Sequence, residues 1–238
     1  MRTRDLLGAP SLRREFFHFR RVVTLADGSQ VVVRALRRED REGLRAGILS
    51  LSPESRYRRF MMHSASEPTE SFLDRLVAVD GERHLALVAI VESLDLKEER
   101  GVGVARYLTL PGAPHVAEAA VTVVDAMQRK GVGKALLEPL AELAVARGIQ
   151  NFRAEVLREN EGVRRILDAS GATLVREEGD VLVYDVPLDG EGPQSTRNLV
   201  ELLGETARSV TVALRRFLPE NASDDEPHGG GDPGNTGT

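Results

Sequence analysis

The chain has 238 residues, 41% hydrophobic and 29% charged, the balance of one well-buried domain with appendages rather than of a disordered polymer. No run nears the ~18 apolar residues of a membrane span, and Arg2, Arg4 and Asp5 stand where a secretory leader would be apolar, so a cytoplasmic protein that engages no membrane is expected. The absence of cysteine excludes disulfides, thiolate metal sites and a cysteine nucleophile, and the net charge of -5 argues against nucleic acid as a partner.

Residues 1–21 read as an N-terminal extension. Residues 22–36 alternate in two short runs around Asp27-Gly28, a pair suited to a type I′ hairpin, and open a sheet. A helix is predicted over residues 39–49. A second runs from Ser52-Pro53 to residue 60, because serine suits the N-cap and proline the first helical position, and a third covers residues 68–77. Strands follow at 84–92 and 101–110, with the charged stretch 95–100 as a solvated loop between them, and then at 117–124. Residues 131–147 carry Val132, Leu136, Leu140 and Leu143 at helical spacing and stop at Gly148, with Pro139 as a predicted kink. A strand at 152–157, a helix at 161–170 and a hairpin at 173–186 around Gly179-Asp180 complete a mixed α/β sheet flanked by helices, in a domain spanning 22–189. Beyond a Gly- and Pro-containing linker, Leu199, Leu202, Leu203, Val210, Ala213, Leu214 and Phe217 define a C-terminal amphipathic helix within 190–218. That helix is expected to pack on the domain or on a second copy of the chain, making a homo-oligomer one expectation. Residues 219–238, rich in Gly, Asp and Pro, read as a disordered tail.

The chemistry concentrates where the apolar strand Val121-Thr122-Val123-Val124 runs into Gln128-Arg129-Lys130-Gly131-Val132-Gly133 and directly into a helix. Glycines let backbone approach a bulky anion, and the N-H groups and positive dipole end of a new helix favour negative charge. Arg129, Lys130 and Lys134 add cationic screening. Taken alone, the same glycines also suit tight strand-to-helix packing. The Gly-x-x-x-x-Gly-Lys-Ser/Thr spacing of a P-loop is absent, and Leu136 stands where a dinucleotide fingerprint needs its third glycine. His63, His84 and His115 lack the paired spacing of a zinc site, so no metal is expected.

Gln128-x-x-Gly131-x-Gly133 resembles the pyrophosphate motif of GNAT acetyltransferases. Residues 51–60, 85–89, 117–121 and 156–160 extend the resemblance to bacterial protein lysine acetyltransferases of the Pat type, over roughly residues 22–186. The resemblance implies a GNAT fold and acetyl-CoA as cosubstrate. Val121 and Val123 then lie on the strand that pairs with pantetheine. Gln128, Arg129, Lys130, Gly131, Val132, Gly133 and Lys134 surround the pyrophosphate, and Asn160 lies near the pantetheine arm. Glu118, which by itself reads as a surface carboxylate at a strand start, becomes the general base. Its setting among Ala119, Ala120 and Val121 would desolvate it and raise a pKa that is otherwise ~4.3. The implied acceptor is a protein lysine ε-amine, oriented with help from Arg56 and Tyr57. A small-molecule amine and a non-catalytic acyl-CoA-binding regulator stay open as alternatives. The chain departs from the family pattern at Met127, at Arg129, at Ala172 and above all at Leu167, where many GNAT enzymes carry a tyrosine general acid.

Overall fold

The computed structural model describes residues 8–53, 55, 67–92, 99–159, 161–169 and 171–188. In chain order these form α1 (Gly8–His18), β1 (Arg20–Thr24), β2 (Gln30–Ala35), α2 (Arg41–Leu49), α3 (Glu70–Val77), β3 (His84–Glu92), β4 (Glu99–Leu110), β5 (Ala113–Val123), α4 (Val132–Val145), β6 (Asn151–Leu157), α5 (Glu161–Ala169), β7 (Thr173–Glu178) and β8 (Val181–Pro187). The strands make one sheet in the order β1-β2-β3-β4-β5-β6-β8-β7, in which only the β5/β6 pair is parallel. Asn160, Arg56, Tyr57, the 190–218 helix and the 219–238 tail of the sequence reading lie outside the described residues.

Topology decides which helix covers which face. Helix α4 joins parallel β5 and β6, and α5 joins β6 to β7, two strands away and parallel to it. Right-handed crossovers in one direction put both helices on the same face. Helices α2 and α3 take the other. Strand β4 demonstrates the division, since side chains alternate along a strand. A Cβ on Gly103 would meet Val132 and Leu136 of α4, whereas Arg106, of opposite parity, donates to Leu76 O of α3. On the α4 face, Leu136 and Leu140 pack with Leu85, Leu87 and Val121 in the main core; Val32, Leu36, Val77, Ala86, Val88 and Ile90 form a second cluster on the α2/α3 face.

Several elements differ from the sequence reading for identifiable reasons. The segment read as an extension contains α1, whose Phe16 is fully buried. Arg147 holds this helix in place by donating Nη2 to Leu12 O (2.7 Å), Nε to Gly81 O (3.1 Å) and Nη1 to Leu143 O (2.9 Å). The β1–β2 hairpin is present, but its turn is not type I′. Only Gly28 has a positive φ (81°), whereas type I′ needs two such residues, and Asp27 instead accepts the Ser29 N-H with its carboxylate. Glu99 and Arg100, read as loop, pair with Glu92 and Val91 and belong to β4. Strand β5 starts at Ala113 because Pro111-Gly112, with Gly112 at φ 78°, closes a hairpin that joins Leu110 to Ala113. Ser52 does accept Ser55 N-H (3.2 Å), as an N-cap should. Helix α4 passes Pro139 as one element, its surroundings Leu136, Leu137, Leu140 and Ala141 all buried. It stops in a Schellman arrangement at Gly148 (φ 80°), with Ile149 N donating to Ala144 O and Gly148 N to Val145 O.

Candidate active site

The β5/β6 pair is joined at three positions only: Val116 with Asn151, Ala117 with Phe152, and Glu118 with Arg153. Both strands continue past this point, to Val123 and to Leu157, but they separate. Strand β6 stays paired with β8 over all seven residues, and the far edge of β5 stays paired with β4. The result is a fork whose open arm exposes one edge of the backbone from 119 to 123, a length of about 16 Å at ~3.3 Å per residue. Val121 and Val123 bury their side chains in the main core and leave their peptide groups along the slot. An extended ligand arm can pair there as a strand would.

At the open end of the fork the chain turns sharply into α4. Asp125–Met127 forms a 3₁₀ turn, Arg129 takes a left-handed conformation (φ 62°), and Gly131 starts the helix at φ 94°. Asp125 organises this turn: its carboxylate accepts from Ser52 N (2.7 Å), Ser55 Oγ (2.7 Å) and Gln128 Nε2 (2.8 Å). Burial pushes this carboxyl upward, yet those hydrogen bonds more than offset it and hold it below the usual range. Gln128 also donates to Val123 O (3.1 Å), fastening the turn to the end of β5. Gly131 brings no side chain to cap α4, and the first-turn N-H groups of a helix have no intrahelical carbonyl, so the turn presents bare donors toward an anion. Val132 and Gly133 are buried against the sheet; Lys130 lies 3.4 Å from Asp27 of the β1–β2 turn, and Lys134 lies 3.9 Å from Glu138.

Glu118 occupies the apex, the last paired position before the strands part, and is 9% exposed. Neighbours in register share a face, so it stands in a row with Leu108 of β4 and Arg153 of β6, on the side covered by α2 and α3. Arg153 in turn makes a bidentate ion pair with Asp185 of β8, Nε to Oδ1 at 2.7 Å and Nη2 to Oδ2 at 2.8 Å. Further along the same face, His84 donates Nδ1-H to Ala78 O at the end of α3. Burial, and secondarily the charge of Arg106, lowers its pKa to about 4. Leu167, the position of the family's acid tyrosine by resemblance, is packed in the core at 1% exposure.

The fold therefore brings Glu118, Val121, Val123 and the turn from Gln128 to Lys134 into one line, from the fork apex along β5 to the start of α4. Sequence reasoning missed three contributors. Asp125 carried a signal, an acidic residue following an apolar strand and preceding Gln128 by three. Gly103 and the Arg153–Asp185 pair carried none, since their roles depend on which strands become neighbours. Among the described residues no group of His, Asp and Glu is placed to hold a metal ion, and no helix is long and apolar enough to cross a membrane.

A parallel pair that splits over a slot, with a glycine-started helix at its open end, leaves room for an extended ligand with an anionic end. In comparison with known proteins, the Acetyltransferase (GNAT) family matches residues 50–171. An acetyltransferase of Pseudomonas aeruginosa is 33% identical over 160 residues, 67% of this chain and 83% of that protein. Acetyltransferase Pat of Mycolicibacterium smegmatis is 32% identical over 170 residues, 71% of this chain; the match spans about half of that longer protein (49%). The crystal structure of the GNAT domain of S. lividans PAT is 30% identical with a TM-score of 0.62, covering 71% of this chain and 97% of that one. The chain belongs to the GNAT acetyltransferase family, and is an acetyl-CoA-dependent acyltransferase.

Proposed function

We propose that the chain acetylates lysine ε-amines of proteins by direct attack on acetyl-CoA, with Glu118 as the general base. The observation that carries this reading is the place of Glu118, a buried carboxylate at the apex of the fork, on the face opposite α4 and directly below the open backbone edge. Similarity to the two Pat proteins supports a protein acceptor. The uncapped start of α4 fits the pyrophosphate, and the 119–123 edge fits the pantetheine arm.

A base is required because a free lysine, with a pKa of ~10.4, is neutral in only about one molecule in a few thousand at pH 7. Glu118 accepts the ammonium proton directly or through one water. The freed nitrogen lone pair then forms the C–N bond at the thioester carbon, and N-H groups on the exposed edge of β5 stabilise the oxyanion. Collapse breaks the C–S bond while the attacking nitrogen passes its second proton to water, and the CoA thiolate is protonated from the same solvent because Leu167 has no proton to give; Glu118 returns the first proton to bulk water. Glu118→Gln keeps the shape and removes the base. Steady-state kinetics should show kcat lower by about 10² to 10⁴, with acetyl-CoA affinity by calorimetry little changed. Normal turnover by this variant would refute the assignment of the base. Equal turnover of spermidine and of protein lysines by the native enzyme would refute the protein acceptor.

A further inference from the structure

We propose that Arg153 and Asp185 are a positioning pair that governs the protonation of Glu118 and thereby sets the lower end of the enzyme's working pH range; this rests on Glu118 being the base. Three strands carry the arrangement. Glu118 of β5 is in register with Arg153 of β6, and Arg153 is in register with Asp185 of β8, so the three side chains stand side by side on one face at the ~4.8 Å strand spacing. Asp185 grips the guanidinium through two parallel hydrogen bonds, Nε and Nη2 to its two oxygens, which fixes the plane and reach of the arginine. Arg153 also interacts electrostatically with Glu118 and with Glu155, the buried carboxylate two residues further along β6.

The other charged groups around Glu118 are out of register with it or hold other partners. Strand β4 contributes Arg106, in register with Ala120 rather than with Glu118 and engaged with Leu76 O. Strand β3 contributes His84, which is uncharged above pH about 4. His115 of β5 turns to the opposite face, toward Gly148 O. On the covering helices, Arg41 and Arg45 of α2 are bound to Glu70 and Asp74 of α3, and Arg75 is the remaining basic group of α3. Arg153 is the cation in register with the base. A cation at such range favours the ionised carboxylate, which is the form that accepts a proton, whereas Asp185 and Glu155 oppose ionisation.

Two substitutions with opposite expected signs test the idea. Arg153→Met removes the cation and should move the acidic limb of the kcat/KM profile to higher pH by about one unit, the low end of the effect of an opposite charge at ~4–6 Å. Arg153→Lys should restore most of the native limb. Asp185→Asn removes the competing anion while its amide oxygen still accepts one of the two arginine hydrogen bonds, and should move the limb to lower pH. A structural role alone would give reduced activity in both cases with the limb unmoved, or moved in the same direction, and either result overturns the proposal. Should Arg153→Met fail to fold by circular dichroism, the sign of the Asp185→Asn shift decides alone. Glu118→Gln in the same series separates the two levels. A glutamine variant with the native profile refutes Glu118 as the base, whereas a glutamine variant lacking the limb, beside an unshifted Arg153→Met, refutes only the pair.

Discussion

Gly103 is the position where a single methyl group should damage both the fold and the site. An added Cβ would lie 3.0 Å from Leu136 Cδ1, 3.0 Å from Thr122 O and 3.2 Å from Val132 Cγ1. Two of those atoms belong to α4 side chains that are essentially inaccessible (0% and 1%), and the third is backbone of β5. None is the free end of a flexible side chain, so relief requires β4, β5 and the start of α4 to part by tenths of an ångström. Overpacking of this kind costs about 1–3 kcal/mol, which for a domain of this size lowers Tm by roughly 3–10 °C. Because Thr122 flanks the slot and Val132 begins α4 at the proposed pyrophosphate site, acetyl-CoA binding should weaken along with stability. Gly101→Ala is the internal control. On the same strand, its Cβ would meet only Val88 Cγ2, at an ordinary 3.9 Å. Thermal unfolding and calorimetric titration of both variants form the assay. A Gly103→Ala protein that melts and binds like Gly101→Ala would show that the α4–sheet contact is not as tight as described.

Gly133→Glu places bulk and negative charge at the buried first turn of α4 and should abolish acetyl-CoA binding in calorimetry, with a lower Tm because the added carboxylate is buried. Asp125→Ala frees Ser52 N, Ser55 Oγ and Gln128 Nε2 together, and should raise the acetyl-CoA Kd about tenfold, roughly the worth of one charge-assisted hydrogen bond. His84 titrates near pH 4 when folded and near 6.5 when unfolded. The unfolded chain therefore binds the extra proton between these values, and stability should fall as pH drops from 6.5 toward 4, by about 3 kcal/mol at 1.36 kcal/mol per decade. His84→Asn, which keeps a donor for Ala78 O, should flatten that slope in chemical denaturation across the window.

The elements legible in the sequence are those whose signals are local. The α4 stripe and its Gly148 stop, the Ser52 cap, and the glycine that starts α4 act within a few residues of themselves, and they appear where the pattern puts them. Helix α1 was not legible because it owes its place to distant partners: Gly81, whose missing side chain admits Phe17, and Arg147, reached from 135 positions away. The type of the β1–β2 turn does not follow from sequence because Asp27-Gly28 satisfies two turn chemistries. Choosing between them falls to the Asp27–Ser29 hydrogen bond, which no composition rule weighs. The candidate site divides the same way. The line from Glu118 to Lys134 is contiguous sequence and was readable, while Arg153 and Asp185 become neighbours of Glu118 only through the interleaved strand order β5-β6-β8.

Among the described residues, strand pairing between a five-stranded antiparallel half-sheet (β1 to β5) and a three-stranded one (β6, β8, β7) is confined to three positions of β5 and β6. The proposed reaction site thus lies on the seam between the two halves of the sheet. A cosubstrate whose arm lies against the edge of β5 acts as a ninth strand, stitching along the line where the sheet is least continuous. Stability rises with acetyl-CoA as RT ln(1 + [L]/Kd), and the protection gained should concentrate on amides 119–123 rather than spread evenly over the sheet.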